Sequence, residues 1–144
     1  MKLIIHTDGG ARGNPGPAAV GVVIEEVSGA KTKEIAAFGK PIGNSTNNVA
    51  EYTAVIEALI RLKSLTPQSK NKNDNLAVRF YLDSILVVNQ LNGMFKVKDA
   101  RLRELLSKVR ILEQEVGGVI EYTSVPREQN IQADVLVNRA LDSR

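Results

Sequence analysis

Thr7-Asp8-Gly9-Gly10-Ala11-Arg12-Gly13-Asn14-Pro15-Gly16-Pro17-Ala18 is the stretch on which the reading of this chain turns. Lys2 to His6 before it and Ala19 to Val27 after it are apolar runs rich in β-branched residues, so it joins two strands. The first strand ends on an acid, Asp8, where the backbone turns. Glycine then supplies backbone angles closed to other residues, and proline fixes φ. An acid at a strand end beside such a loop suits a metal or a phosphate. It equally suits a hairpin whose aspartate bonds backbone amides. The rest of the chain bears on that choice.

A length of 144 residues fits a single domain, 1–144, with a sizeable core. Apolar content of 43% and charged content of 24% are ordinary for a globular chain. The absence of cysteine excludes disulfides, thiolate metal sites and a Cys nucleophile. One histidine, His6, is too little for a zinc site, so any metal is held by oxygens, which points to Mg²⁺ or Mn²⁺. His6 itself reads as a structural or partly exposed strand residue. No serine stands in a nucleophile elbow, and the Gly-rich loop lacks the Lys-Ser/Thr ending of a P-loop. No apolar run resembles a signal peptide or a membrane span, so the expected setting is cytoplasmic, away from membranes. A net charge of +3 permits an anionic partner without requiring one.

Strands are expected over 2–8, 19–27 and 32–39, the last two joined by the tight turn Ser28-Gly29-Ala30. Pro41 to Asn48 reads as a polar loop with helix-start chemistry near its end. A helix over 48–65 follows from the spacing of Tyr52, Val55, Ile56, Leu59 and Leu62, with Glu51 at the edge of that apolar stripe. A carboxylate there is costly unless satisfied, though glutamate also suits a helix N-terminus. Residues 66–75 read as a mobile polar connector. Ala77 to Leu82 has few polar residues and is expected to be a parallel strand buried on both faces, again ending on an acid, Asp83. Ile85 to Gln90 is a short helix ended by Gly93. Asp99 caps a helix over 100–116 with the stripe Leu102, Leu105, Leu106, Val109 and Leu112, which Gly117-Gly118 ends. A fifth strand runs over 119–125. A last helix over 131–141 has Ile131, Val135, Leu136 and Leu141 as packing candidates and Asp134 in its first turn.

Four carboxylates thus share matching situations: Asp8 and Asp83 at strand ends, Glu51 and Asp134 in first helical turns. In open α/β sheets, sites gather at the carboxyl ends of strands. Spacing alone does not bring the four together. Should they meet, their mutual repulsion needs cations. Two Mg²⁺ ions about 4 Å apart would activate a water and stabilise a departing oxygen in phosphodiester cleavage.

Four segments, in order, carry a family resemblance. They are Thr7-Asp8-Gly9-Gly10 with Gly13 to Pro17; Thr46-Asn47-Asn48 followed by Glu51; Leu82-Asp83-Ser84 with Val87 to Gly93; and Val125 to Asn130 with Ala133-Asp134. Together they resemble type 1 ribonuclease H over nearly the whole chain. The resemblance implies an α/β fold with a mixed five-stranded sheet, three strands antiparallel and two parallel, flanked by helices. It implies Mg²⁺-dependent endonucleolytic cleavage of the RNA strand of an RNA/DNA hybrid, leaving 3′-hydroxyl and 5′-phosphate ends. Mn²⁺ as a substitute ion and a monomeric state are further expectations, though nothing in the sequence speaks to oligomeric state. It assigns the metals to Asp8, Glu51, Asp83 and Asp134. It puts Gly9, Arg12, Asn14, Thr46, Asn47, Asn48 and Ser84 on the substrate, with the asparagines at the minor groove, where 2′-hydroxyls mark RNA.

The chain departs from the family in three places. The segment Ser124 to Asn130 has no histidine, so Arg127, Glu128 and Asn130 are the auxiliary candidates there. Ile85 replaces a residue that is often polar. The connector Met94 to Lys98 is too short for a basic protrusion, and the chain has no tryptophan, leaving Lys96, Lys98, Arg101 and Arg103 for phosphate contacts, or simply as a solvated helix end. Two rival functions stay open: a module that grips hybrids without cutting them, and a nuclease of the same fold that also cuts double-stranded RNA.

Overall fold

The computed structural model describes residues 1–66 and 75–143, so the polar connector expected over 66–75 lies, apart from its two ends, outside the described residues. Three strands, β1 (Lys2–Ala11), β2 (Gly16–Ser28) and β3 (Lys31–Ser45), fold back on one another antiparallel. Gly29 and Ala30 alone make the second turn, and Gly29 takes a φ of 63°, as a two-residue hairpin demands. Helix α1 (Asn47–Leu65) starts on Thr46, whose Oγ1 accepts the Val49 amide at 3.2 Å. Strand β4 (Ala77–Leu82) runs parallel to β1, and β5 (Val119–Ser124) parallel to β4. Between them in sequence lie α2 (Ile85–Leu91) and α3 (Ala100–Val116). A 3-10 turn at Arg127–Gln129 leads into α4 (Ile131–Asp142). The sheet order β3-β2-β1-β4-β5 is the expected mixed sheet.

The strands around the Gly/Pro stretch run further than expected. Ala11 pairs with Ala18, and Gly16 with Ser45, so only the tip of that stretch is loop, and the first part of Pro41 to Asn48 is strand. A register shift between Ala18 and Ala19 absorbs the mismatch.

One face of the sheet carries α1, α2 and α3. Leu3, Ile5, Val22, Ile24, Phe80 and Leu82 point into a core shared with Tyr52, Val55, Leu59 and Leu62 of α1 and with Leu102, Leu105 and Val109 of α3. The stripe of α1 read from spacing is buried throughout, and that of α3 is buried at Leu102, Leu105 and Val109, with Leu106 and Leu112 partly buried against the core. The other face carries α4, which lies over β2, β3 and β1. This arrangement corrects the expectation for β4. Its residues alternate between buried and open, with Ala77 and Arg79 exposed, because α4 does not reach that part of the sheet. The strand covered on both faces is β2, buried at every position from Ala18 to Ile24.

Helix α4 is also turned from its expected phase. Ile131 and Val135 are exposed, while Ala133, Val137, Ala140 and Leu141 face the sheet. The reason is close approach. Gly21 and Gly39 leave a hollow under the helix; a Cβ on Gly21 would overlap the Ala133 carbonyl oxygen, and one on Gly39 that of Leu136. A helix seated that near needs small side chains beneath it.

Candidate active site

Parallel pairing of β1 and β4 places His6 opposite Tyr81, so two residues on the same register sets Asp8 beside Asp83, just past the end of β4; β1 does not end at Asp8 as expected but runs on to Ala11, paired with β2. Glu51 comes in from α1. Gly9 makes this close: a Cβ there would overlap the Ala50 carbonyl, and without one the Gly9 amide donates to Glu51 Oε1 at 3.1 Å. Oxygens of Asp8, Glu51 and Asp83 all lie within 4.8 Å of one another. Asp134, on the first turn of α4, lines the same cleft and acts on the Asp8 carboxyl by charge and by a side-chain contact. The cleft is about 410 Å³. All four predicted acids therefore line it, three of them as a tight cluster.

Burial and mutual repulsion dominate the electrostatics. Asp8 is pushed up to about 7, by burial first and then by the charge of Asp83. Glu51 is held well above its ordinary 4.5 by burial, then by Asp8; the Gly9 amide only partly offsets this. Glu51 Oε2 is buried with no hydrogen-bond partner. An orphaned buried carboxylate oxygen facing two more carboxylates is a set of hard oxygen donors, so the residues fit a divalent ion of the Mg²⁺ or Mn²⁺ kind.

The other predicted residues divide. Gly9, Arg12, Asn47, Asn48, Ser84 and Arg127 line the cleft. Ser84 also caps α2, accepting the Val87 amide at 3.3 Å. Asn14 Oδ1 accepts the Asn47 amide at 2.9 Å, and Asn47 Oδ1 accepts the Ala11 amide at 2.9 Å. Both asparagines thus spend their oxygen on the fold and keep their NH₂ donors. Thr46, besides capping α1, lines a neighbouring hollow of about 390 Å³ with Arg101. Lys96, Lys98 and Arg103 line neither. His6 is half-buried and stacks on Tyr81 with centroids 5.1 Å apart; burial lowers its pKa.

Of the three auxiliary candidates, only Arg127 lines the cleft. Glu128 is exposed on the 3-10 turn. Asn130 is 1% exposed and its Nδ2 donates to the Thr7 carbonyl at 2.8 Å, so it braces the chain before Asp8, while its Oδ1 is buried with no hydrogen-bond partner. Sequence reasoning missed Asn138, which lines the cleft one turn beyond Asp134; the four-residue step along α4 was the available signal.

This geometry has known counterparts. A family model described as "Reverse transcriptase-like" matches residues 6–140. The ribonuclease H of Paracidovorax citrulli is 35% identical over 98% of this chain and 95% of its own length. The solved structure of LC11-RNase H1 in complex with an RNA/DNA hybrid superposes with a TM-score of 0.87 at 42% identity, covering 98% of this chain and 97% of that one. The chain belongs to the type 1 ribonuclease H family. Membership accounts for the sheet order and for the acids at its carboxyl edge. Among ribonuclease H relatives, length varies: a bifunctional protein of Mycobacterium tuberculosis is 37% identical over 99% of this chain, yet the chain spans only 36% of it. Among the described residues, no helix is long and apolar enough to cross a membrane.

Proposed function

We infer that residues 1–144 act as one ribonuclease H domain that hydrolyses the RNA strand of RNA/DNA hybrids, leaving 3′-hydroxyl and 5′-phosphate ends, as a monomer in the cytoplasm. The observation that carries this reading is the convergence of Asp8, Glu51 and Asp83 from three separate elements to within 4.8 Å, with Asp134 on the wall of the same cleft. All four come from one chain, so no second copy is needed to complete the site. The LC11-RNase H1 likeness supports the substrate, since that relative was solved on a hybrid.

In this mechanism Asp8, Glu51, Asp83 and Asp134 hold Mg²⁺, with Mn²⁺ as a substitute. Bound there, the metal supplies a polarised water and charge neutralisation at the cleaved phosphodiester. The chain's own residues do the rest. Gly9 fixes Glu51 through its amide, and burial shields the Asp8 and Glu51 carboxylates from bulk water, while Asp83 and Asp134 are only partly buried. Asn14 and Asn47, their oxygens already bonded, present donors suited to 2′-hydroxyl oxygens and minor-groove acceptors. Asn47, Asn48 and Ser84 line the cleft; Asn14 does not line it but is bonded to the Asn47 amide. No imidazole serves the loop before Asp134; Arg127 is the ionisable side chain that the loop turns toward the cleft.

The deciding experiment is a cleavage assay on end-labelled RNA/DNA hybrid, double-stranded RNA and double-stranded DNA, each with Mg²⁺, Mn²⁺ or chelator. Metal-dependent cutting of the hybrid RNA strand is expected. Hybrid binding without any cutting would leave a recognition module. Equal cutting of double-stranded RNA would widen the substrate class.

A further inference from the structure

Arg12 and Arg127 are the only basic residues among those lining the acid cleft. The Arg12 guanidinium is held on α4, where Nη2 meets Asp142 Oδ1 at 2.7 Å and Asn138 Oδ1 at 3.5 Å. Its backbone is fixed, since the Arg12 amide donates to the Pro17 carbonyl at 2.8 Å. The side chain alone is therefore the moving part. Both members of the ion pair are open to water, 49% and 66% exposed, so the pair is weak and screened by salt.

Asp142 stands oddly for a helix residue. It occupies the last position of α4, where the helix dipole disfavours an acid. Its one ion-pair partner among the described residues is Arg12. It belongs to neither the acid cluster nor the residues lining the cleft. A guanidinium beside four carboxylates is also what an incoming phosphodiester needs, because its planar fork binds two phosphate oxygens at once.

We propose that Arg12 is a phosphate-contact residue for the hybrid and that Asp142 is its internal competitor, holding the guanidinium on α4 until a backbone phosphate displaces it. This rests on the proposed hybrid substrate. Asp142 thereby weakens binding and makes release of the cut strands easier, since Arg12 has somewhere to return.

A double-mutant cycle tests it. Parent, Arg12→Gln, Asp142→Asn and the double variant are titrated with fluorescent RNA/DNA hybrid in chelator over a range of salt, with melting curves to check the fold. Glu121→Gln, on the far part of the sheet, controls for net charge. Asp142→Asn should tighten binding about two- to fivefold, beyond the control. Arg12→Gln should weaken binding and reduce the log–log salt slope by about 1. In the Arg12→Gln background the Asp142→Asn gain should shrink to that of the control. A weaker-binding Asp142→Asn would make the pair a structural brace, and an equal gain in both backgrounds would reduce it to bulk charge; either overturns the proposal. A parent that binds no hybrid takes the proposed function down as well, whereas normal parent binding with a flat cycle removes only the competitor.

Discussion

The amide of Gly9 on β1 donates to Oε1 of Glu51 on α1 at 3.1 Å, and this bond crosses a helix–strand contact too close to admit a single methyl group. Position 9 is thus where packing and the candidate site meet.

Gly9→Ala should therefore cost stability at or above the upper end of the roughly 1–3 kcal/mol typical of overpacking, because the atoms it meets are backbone and cannot rotate away. Cleavage should fall further than stability accounts for, since α1 carries Glu51 with it. Denaturant melts and single-turnover cleavage would separate the two effects. A variant that melts like the parent would contradict the close approach.

Proton linkage at Asp8 has a definite sign. Its pKa is raised from 3.8 to about 7, so the folded state holds the proton more tightly than the unfolded chain. Without metal, that contribution is present in full below about pH 4 and is lost as pH rises through about 7. Asp8→Asn removes the titration. Its melting temperature should thus gain on the parent's progressively from pH 4 to pH 7 in chelator. A gap that stays constant or closes would mean the carboxyl is not under this strain.

Added Mg²⁺ should reverse the repulsion. Binding to the folded state alone adds about 2.7 kcal/mol at one hundred times Kd. Because the ion needs ionised carboxylates, the rise in melting temperature should be larger at pH 8 than at pH 5. Calorimetric melts with and without Mg²⁺ at both values would check this. An equal shift at the two pH values would place the ion elsewhere.

Asp83→Asn should abolish cleavage, leave hybrid binding largely intact and remove most of the Mg²⁺-induced thermal shift. Surviving cleavage would end the metal model. Binding is read by anisotropy, so loss of chemistry and loss of recognition are told apart.

Asn130→Ala should destabilise by about 1–3 kcal/mol, as expected when the buried Thr7 carbonyl loses its side-chain donor. A surface residue would show almost none of this. Urea unfolding of the two proteins gives the number directly.

What was legible in the chain follows from where its signals come from. The acids could be found because each adjoins a run whose period is plain: Asp8 and Asp83 after β-branched runs, Glu51 at the edge of the Tyr52–Leu62 stripe; their exact seats differ, since β1 continues past Asp8 and α1 starts at Asn47, which puts Glu51 beyond its first turn. Those periodicities are local, and the core confirms them. The phase of α4 was not legible, because size alone favours burying Ile131 and Val135. What decides it is the absence of side chains at Gly21 and Gly39, residues far away in sequence. The cover on β4 was misjudged for a similar reason: an apolar composition does not say which helix reaches it. Asn130 looked like a loop residue near a site, and only the fold shows its amide turned inward to Thr7.

The hollow made by Gly21 and Gly39 reaches further than packing. Asp134 rides on α4, and α4 rests on β2 and β3 main chain to main chain, with nothing compressible between. The placement of the fourth carboxylate is thus governed by two positions that own no functional group. A lineage drifting at either would lift the whole helix and its acid together, so selection on catalysis would be felt at residues that never meet the substrate.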